Sequence, residues 1–178
     1  MAEFKRQKFW TEVRKDVSAN TSGKPFSVKS LIYLLVFSPE FHLLFSYRLQ
    51  SRLINLTVIG KVAAKILWYI SRVITGCDVD PRTKIEGGIK IPHAVGIVLS
   101  RYATIQSDCV IYQNVTVGAD GDKAPFVESG VSIFPGAMVV GGVTIGRNSQ
   151  IRANALVIES LDADSIVVTP LGRVLDKG

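Results

Sequence analysis

The residue pattern predicts an α+β architecture in which helices come first and a parallel β-helix follows. Three observations carry that reading. From Val79 onward an aliphatic β-branched residue returns every six positions: Val79, Ile85, Ile91 and Ile97, then Ile105, Ile111 and Val117, then Val127, Ile133, Val139, Ile145, Ile151 and Val157. Ten of the twelve gaps are six residues, and the two exceptions, of eight and ten, are longer. The charge also changes sign along the chain. Residues 1–76 hold twelve Lys/Arg against four Asp/Glu, and residues 77–178 hold nine against eleven. Finally, the first part carries helix punctuation that the second part lacks. The boundary falls near Gly76, giving a basic helical region over 1–76 and a β-helix over 77–178.

In the first region Phe9 to Val17 reads as a short helix, and Thr21-Ser22-Gly23-Lys24-Pro25 breaks it. Ser27 is placed to cap a helix running to Phe37, and Pro39 starts another that runs to Leu53. An apolar stretch from Leu53 to Ile74 follows. It contains Lys61, Lys65 and Arg72, so it is not a clean membrane span. Two readings stay open for it. With Arg48 and Arg52 it is a basic amphipathic surface for an anionic bilayer, or its apolar face packs on the other helices, the end of the β-helix and a partner subunit. His42 falls in an apolar helix and reads as structural.

In the second region a six-residue period fits neither the 3.6 of a helix nor the 2 of an ordinary strand, and it is the mark of a parallel β-helix. Each unit is a short strand and a corner, three units close a triangular coil, and coils stack about 4.8 Å apart. The stepped residue points inward. Asn114, Gly136, Gly142, Asn148 and Asn154 sit near corners and suit left-handed backbone. A prism this short has three flat faces to cover, and a symmetric trimer is the closed solution. Because the β region holds one histidine, the active sites are expected between subunits.

Composition narrows the classes further. The 178 residues are 47% hydrophobic, which excludes disorder. Cys77 and Cys109 are too few for a disulfide framework or a four-ligand zinc site. They read as reduced core thiols in a cytoplasmic protein. No metal is expected. The start Met-Ala-Glu-Phe-Lys-Arg-Gln-Lys carries no signal-peptide pattern. The basic residues form no aromatic-interleaved groove, so nucleic acid is not an expected partner.

Residues 78–98, Asp-Val-Asp-Pro-Arg-Thr-Lys-Ile-Glu-Gly-Gly-Ile-Lys-Ile-Pro-His-Ala-Val-Gly-Ile-Val, resemble the serine O-acetyltransferase branch of the left-handed β-helix acyltransferases. Gln113-Asn114-Val115-Thr116-Val117-Gly118 and Phe41-His42…Tyr47-Arg48-Leu49 add to the resemblance. It implies a left-handed coil, acetyl-CoA as donor, a hydroxyl acceptor and one catalytic histidine. His93 matches the family's general base, and Asp78 matches the acid that orients it. Read from the residues alone, His93 is a corner histidine, either structural or catalytic. Spacing adds that Asp78 and His93, fifteen apart on an eighteen-residue coil, fall near one corner of adjacent coils. The resemblance further places Gly118 near the oxyanion. It places Gly136, Ala137 and Ala155 where pantetheine approaches the backbone, and makes Arg152 and Arg173 candidates for coenzyme A phosphates. The segment Ala119-Asp120-Gly121-Asp122-Lys123-Ala124-Pro125-Phe126 matches the loop bordering the family's active site.

The departures from the family cluster where serine is held. Pro92 replaces an aspartate before the histidine, Lys123-Ala124 replaces Arg-His, and Lys24-Pro25 replaces an Asp-Pro. Free serine needs acids for its ammonium and a cation for its carboxylate. The expected activity is therefore O-acetylation of a carbohydrate hydroxyl of a capsule, exopolysaccharide or O-antigen precursor. Pro92 and Lys123 are then acceptor-side residues, and the chain is closest in character to polysaccharide O-acetyltransferases. A glycan or glycolipid acceptor, with peripheral contact of the basic helices at the inner membrane face, completes that expectation. The alternatives are serine O-acetylation in cysteine synthesis and a non-catalytic β-helix scaffold.

Overall fold

The computed structural model describes residues 2–170, with side chains from Lys8 onward. Four helices come first: α1 (Ala2–Ala19), α2 (Val28–Phe37), α3 (Pro39–Leu53) and α4 (Val58–Thr75). α1 is longer than the Phe9–Val17 stretch. No breaker interrupts residues 2–19, and the polar first turns are made of good helix formers that an apolar pattern does not register. α2 starts where Ser27 Oγ accepts the Ser30 N–H at 3.0 Å. α3 starts where Ser38 Oγ accepts the Phe41 N–H at 3.2 Å, with Pro39 in the first turn, where its missing N–H costs nothing.

The apolar stretch expected over 53–74 is cut. Thr57 Oγ1 caps α4 by accepting the Gly60 N–H at 3.0 Å. Gly60 lies so close to the Leu53 carbonyl that a Cβ would collide with it. α4 ends at Gly76, whose left-handed φ of 65° closes the helix with an N–H bond to the Arg72 carbonyl.

Among the described residues beyond Gly76, thirteen short strands wind into a three-faced, left-handed parallel β-helix of four coils and part of a fifth. The first face stacks β1 (Asp78–Val79), β3 (Val98–Leu99), β6 (Thr116–Gly118), β9 (Met138–Val140) and β12 (Leu156–Val157). The second stacks β2 (Lys84–Ile85), β4 (Thr104–Ile105), β7 (Phe126–Val127) and β10 (Thr144–Ile145). The third stacks β5 (Val110–Ile111), β8 (Ser132–Ile133), β11 (Gln150–Ile151) and β13 (Ile166–Val167). Inward Ile and Val side chains fill the prism, and Ile105, Ile111, Val117, Val127, Ile133, Val139, Ile145 and Ile151 are all fully buried.

One rung differs from the expected ladder. Val79 pairs with Leu99 and not with Ile97. The two extra residues of the first coil therefore lie before Leu99, in the turn after Ile91. Ile97 imitates a rung because it is a buried turn residue at six-residue spacing. At the corners left-handed residues stack in columns, one being Gly96, Asn114, Gly136 and Asn154. A Cβ on Gly96 would run into the Asn114 amide of the coil above, so glycine and asparagine alternate. Gly141, with φ 88°, takes the left-handed place expected of Gly142.

The helices close the first coil. Leu43, Leu44 and Tyr47 of α3 share one core with the prism. Tyr47 Oη donates to the Thr83 carbonyl at 2.6 Å, and burial pushes its phenol up to about 12, so it stays a neutral donor. Arg48 is 3% exposed and Asp16 1%. Arg48 Nε donates to Asp16 Oδ2 at 2.9 Å, and Nη2 donates to the Glu86 carbonyl at 2.6 Å. Asp16 Oδ1 in turn accepts the N–H groups of Gly88 and Ile89 at 2.8 and 3.2 Å. This buried pair ties α1 and α3 to the turn between the second and third faces.

Candidate active site

His93 lies in the enlarged turn of residues 92–97, at the corner joining the third face to the first. It is exposed, beside half-buried Pro92, and among the described residues its imidazole has no hydrogen-bond partner. The same corner of higher coils carries Gln113 and Asn114, then Pro135 to Ala137, then Ala153 to Ala155. Coil stacking fixes that order: the Asn114 N–H donates to the Val95 carbonyl, Gly136 to Gln113, and Asn154 to Pro135, at 2.9, 3.1 and 2.9 Å. The corner is thus a continuous column with the imidazole at its foot. Gln113 Oε1, one coil above, is a buried side-chain oxygen without a hydrogen-bond partner.

Asp78 is the first residue of β1 and lies in register under Val98. It therefore occupies the edge of the first face that the His93 turn enters. Its carboxylate is held from below. Trp68 Nε1 donates to Oδ1 at 3.2 Å, and Arg72 Nη1 lies 3.2 Å from Oδ2. Among the described residues no hydrogen bond or ion pair joins Asp78 to His93. Trp68 and Arg72 were missed in the sequence. Their one signal was i, i+4 spacing in the last turns before Asp78.

The remaining candidates divide. Gly118 closes β6 in register with Val140, and a Cβ there would make only ordinary contacts with Thr116 and Val140, so packing alone does not demand glycine. Gly136 holds a left-handed φ of 71°. Ala137 and Ala155 are at most 1% exposed. Both belong to the hydrophobic core of the prism. Arg152 is exposed and sets its guanidinium 4.9 Å over the Phe134 ring. That ring stacks on Tyr112 with centroids 5.2 Å apart. This Tyr112–Phe134–Arg152 ladder on the corner column was not read from the sequence, though its spacings of 22 and 18 match successive coils. Arg173 lies outside the described residues.

Lys123 does not join this group. The insertion forms a tight loop in which the Asp120 N–H donates to the Lys123 carbonyl at 2.8 Å. It sits at the corner between the first and second faces, so within one chain the first face separates Lys123 and Ala124 from His93. Among the described residues no cluster of three or more His, Cys, Asp or Glu is placed to hold a metal.

Known proteins place this geometry in a lineage. The bacterial transferase hexapeptide model (six repeats) matches residues 124–159. A serine acetyltransferase of Mycobacterium tuberculosis is 30% identical over 169 residues, which cover 93% of this chain and 72% of that protein. The chain belongs to the serine acetyltransferase family of hexapeptide-repeat acyltransferases. A family member from Synechococcus elongatus is 34% identical over 118 residues, and the match spans 64% of this chain and 48% of that protein. The crystal structure of the Brucella abortus family member in complex with coenzyme A superposes with a TM-score of 0.80 at 25% identity, covering 94% of this chain and 67% of that one. These relatives are serine acetyltransferases, so the expected closeness to polysaccharide O-acetyltransferases is not what the comparisons support. That expectation rested on a few acceptor-side residues, whereas overall similarity is weighted by the whole coil.

Proposed function

We propose that this chain transfers an acetyl group from acetyl-CoA to the hydroxyl of L-serine. The observation that carries the reading is the exposed His93 imidazole at the foot of the corner column, on the edge that also bears Asp78. The only other histidine in the sequence, His42, is bonded through Nε2 to the Leu35 carbonyl at 2.7 Å. Membership of the family and the coenzyme A complex of the Brucella relative support the donor.

In this reading His93 takes the proton of the acceptor hydroxyl as its oxygen attacks the thioester carbonyl. The new C–O bond forms, the C–S bond breaks, and the proton returns from the imidazolium to the departing thiolate. Asp78 stabilises the imidazolium through charge at the same edge. Arg152 is the described cation on the column suited to a phosphate of the donor. Lys123 and Ala124 reach such a site only from a neighbouring chain, so the reading includes a homotrimer with sites between subunits. A monomeric mass by light scattering at micromolar concentration would refute that part. The buried free thiols of Cys77 and Cys109 suit a reducing cytoplasm.

One set of residues favours a second reading, a carbohydrate hydroxyl as acceptor. Lys24, Pro92, Lys123 and Ala124 stand where the resemblance places groups for serine's two charges. A charged hydrogen bond contributes about 1.5–3 kcal/mol, and a neutral sugar needs none of them. Acetyl-CoA turnover with L-serine, and separately with surface-glycan precursors, decides. Saturable turnover with L-serine at low-millimolar concentration supports the first reading. Turnover with a glycan precursor alone supports the second. Turnover with neither removes both.

A further inference from the structure

We infer that α4 is a docking surface for an anionic lipid bilayer, on which the protein lies peripherally. The inference goes beyond the acetyl-transfer reading and holds for either acceptor. On α4 the residues Val58, Ile59, Val62, Ile66, Tyr69, Ile70, Val73 and Ile74 are 45–81% exposed. At 100° per residue they fill one uninterrupted arc of about 160°, while Gly60 and Ala64 bury the opposite side against α3. An arc this wide and apolar is far from the scattered single residues of an ordinary surface.

The flank of the arc says what covers it. Lys61, Arg72 and Lys65 follow one another along one border of the wheel, and both lysines are exposed and unpaired among the described residues. Lys61 and Lys65 also line a cleft of about 350 Å³ with Arg82, Asn55 and Ile54. No carboxylate lines that cleft. From Phe41 to Cys77 the sequence contains no Asp or Glu. The nearest acids are engaged elsewhere, Asp78 by Trp68 and Arg72 and Asp80 by the Arg82 N–H at 2.8 Å.

A second copy laid antiparallel and isologously on this arc would bring the two lysine borders together, and α4 carries no acid to meet them. An anionic lipid surface meets both demands. Acyl chains take the apolar arc to a depth of about 5–10 Å, and headgroup phosphates take the lysines and the cleft. Among the described residues no single helix is long and apolar enough to cross a membrane, so α4 lies on the surface.

The test is co-sedimentation of the full chain with vesicles of phosphatidylglycerol and phosphatidylcholine, against phosphatidylcholine alone. We expect sedimentation with the anionic vesicles only, weakening as salt rises. Lys61→Glu with Lys65→Glu should lower the partition at least tenfold, and so should Val62→Asp with Ile66→Asp. Both variants should keep the wild-type thermal midpoint and the wild-type mass by light scattering. Failure of the wild type to sediment overturns the inference, as does unchanged sedimentation of the charge-reversed variant. A lower oligomeric mass for Val62→Asp with Ile66→Asp also overturns it, because the arc then belongs to a second copy.

Discussion

The β-helix and the helices beneath it solve the same burial problem to different degrees. In the prism every coil supplies its own inward residues, the coil above covers them, and the main-chain groups pair from coil to coil. In the helical region α1, α2 and α3 bury Val13, Val17, Leu34 and Phe41 among themselves, while α4 leaves most of its apolar side chains in solvent. A fold that repeats along one axis is completed by its own sequence. A layer of helices laid under one end has a second face that the chain itself does not cover. The chemistry follows the same division. The prism offers rigid corners on which exposed side chains stand, and the helices hold the first coil in place from below.

The largest expected effect tests whether the corner is free of structural duty. His93→Ala should lower acetyl transfer by roughly 10²–10⁴ while leaving the thermal midpoint unchanged, because His93 is exposed and has no hydrogen-bond partner among the described residues. Wild-type turnover of this variant in a coupled thiol-release assay would remove the general-base role. Next is the tie between the two regions. Asp16→Ala leaves buried Arg48 with only its longer contact to Glu12, at 3.5 Å, and backbone carbonyls, at a cost of about 3 kcal/mol in denaturant unfolding, the lower end for a broken buried pair. A loss under 1 kcal/mol would mean that the helices and the prism are not one cooperative unit.

A matched pair of core and surface changes then measures the contrast directly. Ile133→Ala empties a fully buried rung and should cost about 2–5 kcal/mol. Ile66→Ala on α4 removes as much apolar surface from an exposed site and should shift stability by no more than about 0.5 kcal/mol. Equal losses at the two positions would show that the α4 arc is buried in solution.

The two regions were also unequally legible in the sequence. The ladder was plain because β-branched residues repeat at a period no helix shares, and Ser27, Ser38 and Pro39 mark helix starts by local chemistry alone. The rest depends on contacts distant in sequence. Asp16 meets Arg48 and the turn at Gly88 across tens of residues, and nothing local announces a buried pair. Spacing puts Ile97 on a rung because it cannot separate an inward turn residue from an inward strand residue. The corner holding His93 and Asp78 was legible, since coil length converts sequence separation into position. The partners of Asp78 were not, because they arrive from α4 at an angle that only packing decides.

Asp78 is where the two regions meet, and it carries the smallest predicted change in stability. Its carboxylate belongs to the prism by register and to α4 by its contacts with Trp68 and Arg72. Arg72 is 53% exposed on its side chain, so the ion pair contributes at most about 1 kcal/mol. Asp78→Asn keeps an oxygen to accept the Trp68 N–H and removes the charge, so unfolding should shift by less than that amount. If the acid also supports the His93 imidazolium, the same variant lowers kcat by a clear factor, smaller than for His93→Ala because the base itself remains. The split between kcat and KM separates the two duties. A tether for α4 leaves both constants in place, whereas support of the imidazolium lowers kcat with little change in the KM for acetyl-CoA. An unchanged kcat would reduce Asp78 to a peg for α4 and leave His93 to act alone.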